Sequence, residues 1–151
     1  MQNPPPGPPP GGGEPPNYQP PSGQQPGYQA AGGIDKKTGA ILSYVLGWVT
    51  GIIFLFVGKN DPDVKYHGAQ SLIFFGGLTV IIWVLGILRS FMPLGLWGLF
   101  GFVQFLLSLY GFVMWIVCLL KANGGGGARF QIPLVGGFLT PYAEQIANAV
   151  G

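Results

Sequence analysis

The sequence predicts an all-α integral membrane protein with three transmembrane helices, a disordered Pro/Gly-rich N-terminal tail and a short amphipathic C-terminal segment. Three observations predict it. Only 8% of the 151 residues are charged and 48% are hydrophobic, whereas soluble domains carry about 25% charged residues. Three long uncharged stretches follow one another between residues 40 and 120. Ahead of them, residues 1–33 hold eleven prolines and eight glycines and no Leu, Ile, Val, Phe or Trp.

The tail cannot bury enough apolar surface to offset its ordering entropy, so residues 1–33 read as a disordered tether. Pro4–Pro10 has local polyproline II character. "PPNY" at 15–18 fits the pattern bound by WW domains and names a proline-motif-binding partner as a candidate. No secretory signal is expected, because these residues contain no apolar stretch.

Residues 34–122 form the expected membrane domain, with helices at about 40–57, 62–88 and 99–120. The first apolar run, "AILSYVLGWVTGIIFLFV", covers 40–57. As a helix it spans about 27 Å, just enough for a bilayer core. The second is uncharged from Tyr66 to Leu88, about 34 Å as helix. The third, Ser90–Leu120, is about 46 Å, too long for one straight crossing. Pro93 and Gly95 suggest an interfacial turn over 90–98 and a crossing from Leu99 to Leu120. Residues 123–151 begin with four consecutive glycines, read as a hinge. Thr140 can cap a short helix with Pro141 at its first position, giving a stripe of Leu139, Tyr142, Ile146 and Val150. That piece would lie on the membrane surface or against the bundle.

Four of the twelve charged residues cluster between the first two spans: Lys59, Asp61, Asp63 and Lys65. A charge at the centre of a membrane helix costs about 2.5–3.5 kcal/mol on insertion scales, so charges collect outside. Asp61-Pro62 is a helix-start signal, and Asp63 falls in a first turn where the helix dipole favours it. Asp63, His67 and Gln70 then share a helical face, with Ser71 beside them. His67 and Gln70 either bond neighbouring polar groups or form a proton-handling site.

Two further patterns concern packing. Ser43, Gly47 and Gly51 repeat every four residues, a small-residue face that lets helices approach closely. Gln104, near mid-membrane, should face protein, with Ser108 one turn on. Three spans would put Lys36, Lys37 and Arg89 on one side and Lys59, Lys65, Lys121 and Arg129 on the other. That difference of one barely orients the chain, and Lys121 and Arg129 lean toward a cytoplasmic C-terminus.

The totals exclude several functions. A net charge of +2 from scattered residues lacks the clustered positive field of a nucleic-acid binder. The single cysteine, Cys118, permits no internal disulfide, and its apolar surroundings point to a buried thiol. One histidine with two nearby acids offers too few ligands for a closed metal site. No nucleophile is placed beside His67, so neither catalysis nor a cofactor is expected.

Residues 48–72, "WVTGIIFLFVGKNDPDVKYHGAQSL", resemble a widespread family of small bacterial membrane proteins, described as similar to the Tic membrane component of chloroplast protein import. The resemblance rests on Thr50, Gly51, Val64, Lys65, His67, Gly68, Gln70 and Ser71, with "FQIPLVG" at 130–136, and covers residues 35–150. It implies a small helical protein of the bacterial plasma membrane. The expected function is a non-enzymatic scaffold or assembly partner for membrane proteins, self-associating within the lipid bilayer. The alternative is a component of a transport or translocation pore lined by His67, Gln70, Gln104 and Ser108.

Overall fold

A computed structural model describes residues 29–30, 34–58 and 61–150. The expected disordered tail and its Pro-Pro-Asn-Tyr motif lie outside these residues, apart from Gln29–Ala30 (β1), which pairs antiparallel with Ile34–Asp35 (β2). Five helices follow: α1, Lys36–Val45; α2, Trp48–Val57; α3, Pro62–Ser90; α4, Leu94–Gly124; and α5, Gly136–Ala149.

α3 and α4 are the two long apolar helices. Their 29 and 31 residues correspond to about 43 and 46 Å, ample for a hydrocarbon core of about 30 Å. The chain reverses between them over Phe91–Pro93, and the Gln104 side chain donates to the Ile82 carbonyl at 3.0 Å, joining the two helices. α3 starts as its sequence suggests: Asp61 Oδ1 accepts from the backbone of Asp63 at 2.8 Å and of Val64 at 3.2 Å. One π-helical turn, Leu72–Gly76, interrupts it.

Residues 40–57 do not form the single helix expected of them. α1 ends at Val45 and the chain reverses at Leu46–Gly47. A Cβ at Gly39, in α1, would lie 2.9 Å from the Val64 side chain, and one at Gly58, just past α2, would lie 2.8 Å from it. Both ends of the run thus meet the same residue of α3, while Gly47 sits against Phe75, more than ten residues further along. The run is a helical hairpin, each arm about 15 Å long. Gly47 permits the reversal because its φ of 60° and ψ of −131° suit a residue without a Cβ. Ser43, Gly47 and Gly51 therefore share no helix face: they lie on α1, the tip and α2. Gly51 makes a close approach, against Gly68 and Leu72 of α3.

Other boundaries also differ from expectation. The turn expected over 90–98 is confined to Phe91–Pro93, because α4 begins at Leu94, directly after Pro93. α4 also runs through the first glycine of the quartet. The chain turns at 125–127, where Gly126 and Gly127 have φ of 60° and 81°. α5 starts at Gly136 rather than Thr140 and holds Pro141 internally. There Thr140 Oγ1 donates to the Gly136 carbonyl at 2.7 Å, and proline removes a single backbone donor.

The packed core occupies one end of the α3–α4 pair. Tyr44, Phe74, Phe75, Met114, Cys118, Ala122 and Ile132 form its main cluster. A second cluster joins Leu55, Tyr66 and Ala69 to Ala143 and Ala147 of α5. The far half of α3, Gly77–Ser90, contributes no buried residue.

Candidate functional site

Polar side chains run in a seam through the packed end, from the hairpin tip outward. A broken helix at membrane depth leaves backbone groups that lipid cannot satisfy, so they need internal partners. At the tip, Thr50 Oγ1 accepts from Leu46 N at 3.1 Å and lies 3.2 Å from the Gly47 carbonyl. Ser71 Oγ donates to the Gly47 carbonyl at 2.9 Å. The Tyr44 carbonyl, at the end of α1, accepts from Trp115 Nε1 at 2.8 Å and from Gly47 N at 2.9 Å. Side chains of α2, α3 and α4 thus replace the missing helical bonds.

One turn outward lies a fully buried cluster of Tyr44, His67 and Gln70. His67 Nε2 lies 3.2 Å from the Gly127 carbonyl, which can only accept. Nε2 therefore carries the proton in the neutral ring, and Nδ1 is an acceptor. The Tyr44 hydroxyl faces two acceptors, His67 Nδ1 at 3.0 Å and Gln70 Oε1 at 2.8 Å, and shares its one proton between them. Gln70 Nε2 donates to the Phe130 carbonyl at 3.1 Å. Tyr66 Oη donates to the same carbonyl at 3.3 Å. The cluster ties α1 and α3 to the 127–130 segment, about sixty residues away in sequence.

At the outer end Asp63 pairs with Lys36 of α1, and Arg129 Nε donates to Asp63 Oδ1 at 2.6 Å. Arg129 also donates to the Pro62 carbonyl at 3.2 Å and lies 3.9 Å from Glu144 of α5. Asp35, the N-cap of α1, holds a carboxyl below the usual carboxylate range because Thr38 hydrogen-bonds it. This solvent-facing group is a clasp of modest strength.

The seam brings together Asp63, His67, Gln70 and Ser71, each bonded to partners outside α3. It does not include Lys65, which is two residues from His67 and so about 200° round the helix. Nor does it include Gln104 or Ser108. Gln104 closes the bare half of the α3–α4 pair, and Ser108 lines an open apolar groove below the tip with Phe75 and Thr79. Tyr44, Trp115, Gly127 and Phe130 are seam members that sequence reasoning missed. Tyr44 and Trp115 carried a weak signal as polar-tipped aromatics inside apolar runs. The backbone acceptors at 127 and 130 carried none. Among the described residues, no three His, Cys, Asp or Glu side chains gather in a way that could hold a metal ion. Chemically, the seam can fasten segments together. Its donors and acceptors face one another rather than an open cavity.

Comparison with known proteins places the chain in context. The profile of the magnetosome magnetite crystal formation protein family matches residues 35–139. A UPF0132 membrane protein of Methanocaldococcus jannaschii is 39% identical over 112 residues, 74% of this chain and 92% of that protein. One from Archaeoglobus fulgidus is 40% identical over 105 residues, covering 67% and 88%. A second from M. jannaschii is 30% identical over 113 residues, covering 75% and 74%. No solved structure matches. These matches correct the resemblance to the Tic import component. The family whose profile spans the Thr50–Ser71 motif is a different one. The relatives also are archaeal, so they lend nothing to a bacterial plasma membrane, while their names support the membrane itself.

Proposed function

Because the chain belongs to the magnetosome magnetite crystal formation protein family, together with archaeal UPF0132 membrane proteins, we propose that it is a non-enzymatic membrane scaffold, an organising partner for other membrane proteins. The observation that carries this reading is the closure of the seam. Its buried side chains bond to the protein's own backbone, which suits a rigid platform better than a reaction centre. The role in the family's name, magnetite crystal formation, fits a platform that assembles other components at a membrane.

We further propose that α3 and α4 cross the bilayer, while the α1–α2 hairpin enters from one side and returns to it. Irregular backbone at membrane depth is tolerated where protein buries it, and Thr50, Ser71 and Trp115 do so here. On this topology Lys36, Lys37, Lys65, Lys121 and Arg129 share one side, and Arg89 is at the other. The positive-inside rule then points the open end of the hairpin, with Lys36, Lys121 and Arg129, toward the cytoplasm. The near-tie expected from three spans disappears once the first run returns to its starting side.

Purified protein in sealed vesicles distinguishes the scaffold from a pore. Ion and dye leakage should equal that of empty vesicles. Flux well above that background, lost in Gln104→Leu, would replace the scaffold with the transport reading.

A further inference from the structure

The α1–α2 hairpin reaches only part way along the α3–α4 pair, and an apolar groove opens where it stops. Trp48 closes the groove at the hairpin tip, Phe75 and Ile82 of α3 line one wall, and Ser108 and Trp115 of α4 line the other. Its volume is about 340 Å³, at the low end of the range of about 300–1,000 Å³ for ligand sites. Beyond the groove the pair is bare, since Gly77–Ser90 contributes no buried residue. A transmembrane helix, about 10 Å across, is too thick to seat in a groove of this size. A single hydrocarbon chain is not.

The same face of α3 continues to a charge. Phe75, Ile82 and Arg89 stand seven residues apart, so each is rotated only about 20° from the one before. Arg89 is the sole Asp, Glu, Lys or Arg residue between Tyr66 and Leu120. The ion pairs among the described residues all lie at the other end of the bundle, around Asp63 and Arg129. An arginine at the end of a membrane helix usually extends its head toward water. Arg89 instead lies back across the seam: its guanidinium stands 5.0 Å from the centre of the Trp97 ring, and a Cβ at Gly101 would lie 3.3 Å from its Nη1. Gly101 is about 10 Å in from Leu94 along α4. The helix, about 46 Å long, crosses a hydrocarbon core of about 30 Å, so the guanidinium sits near the edge of that core, where lipid headgroups begin.

Depth relates the groove to the charge. A lipid chain reaches from its headgroup to the middle of the core, about 15 Å. From Arg89 back to Thr79, which also lines the groove, is ten residues, about 15 Å along the helix. A phosphate at Arg89 would therefore set the end of its chain in the groove. Phosphate is also the group that a guanidinium's paired N–H donors fit best. We infer that the groove holds an acyl chain of an anionic phospholipid from the leaflet opposite the hairpin, with the headgroup phosphate on Arg89. The lipid fills the half of the bilayer that the hairpin leaves vacant. The inference rests on the membrane placement proposed above.

The test offers the full chain, in mild detergent, equal amounts of phosphatidylglycerol and phosphatidylcholine with identical chains, and counts bound lipid by native mass spectrometry. One phosphatidylglycerol per chain should be retained in preference to phosphatidylcholine. Arg89→Gln should lower that preference by about fivefold, and Lys37→Gln, at the other end of the bundle, should not change it. Ser108→Phe, which puts a ring into the groove, should reduce retention of both lipids. Equal retention of the two lipids by the parent overturns the inference, as does a preference that survives Arg89→Gln, which alone decides if Ser108→Phe does not fold. Retention unchanged in a folded Ser108→Phe protein shows an adventitious surface lipid only and also overturns it. Sided labelling of Phe91→Cys and Asn123→Cys, in a Cys118→Ala chain in sealed vesicles, reports the placement separately. Reaction from opposite sides with no lipid preference removes this inference alone. Reaction from the same side removes the placement and the inference with it.

Discussion

Gly68→Ala should prevent the protein from accumulating as a monodisperse, folded species. A Cβ at Gly68 would lie 2.7 Å from Leu55 N and 2.8 Å from the Gly51 carbonyl, and one at Gly51 would lie 2.9 Å from the Gly68 carbonyl. These neighbours are backbone atoms, which cannot swing aside as a side chain can. Relief requires α2 to lift off α3, and that would pull the tip from Ser71 and Phe75. Overpacking usually costs about 1–3 kcal/mol and occasionally more. Here the cost should reach about 3 kcal/mol or above. Gly77→Ala is the control: it lies in the same helix with nothing within 4 Å of the added atom. It should be neutral or stabilise by up to about 1 kcal/mol. Thermal unfolding in detergent with yield on size exclusion would compare the two. Equal behaviour would remove the close α2–α3 contact from the account.

Tyr44→Phe should be the most damaging of the polar substitutions, although it deletes one oxygen. The change leaves His67 Nδ1 and Gln70 Oε1 buried without their shared donor. The hydroxyl has one proton to give, so its loss removes one buried donor, at about 1–3 kcal/mol, toward the upper end because two buried acceptors depend on it. His67→Ala removes one acceptor and frees the Gly127 carbonyl, at a cost of about 1–3 kcal/mol. His67→Gln should recover part of that loss, since an amide also donates and accepts. The 125–130 segment should loosen in both Tyr44→Phe and His67→Ala, read as faster backbone hydrogen exchange at Gly127–Phe130. A His67→Gln protein that melts like the parent but loses its cellular role would overturn the structural assignment in favour of a proton-handling one.

The sequence disclosed the parts of this fold that depend on neighbours along the chain. Asp61 and Pro62 announced the start of α3, because an N-cap and its proline act within four residues. The uncharged stretches after Tyr66 and Ser90 announced two long helices, because apolar length is what a bilayer requires. The hairpin was hidden for the same reason: eighteen apolar residues satisfy the length test whether they cross or return. Gly47 and Thr50 were the clues, but a glycine in a membrane helix is common, and a threonine's hydrogen-bond partners cannot be read from its position. His67 and Gln70 were visible as a polar face. Their partners were not, since Gly127 and Phe130 offer only carbonyls and lie sixty residues away. Pro141 misled because its preference for a helix start yielded to the packing of Leu139 and Ala143 on α3.

The re-entrant hairpin is the central claim, and sided labelling of single cysteines tests it most directly. In a Cys118→Ala chain, cysteine replaces Lys37, Phe91 or Asn123 in turn. An impermeant maleimide is then applied to sealed vesicles of each orientation. Lys37→Cys and Asn123→Cys should react from the same side and Phe91→Cys from the opposite one. Reaction of Lys37→Cys and Asn123→Cys from opposite sides would mean that the first apolar run crosses the membrane, and the hairpin account would be contradicted.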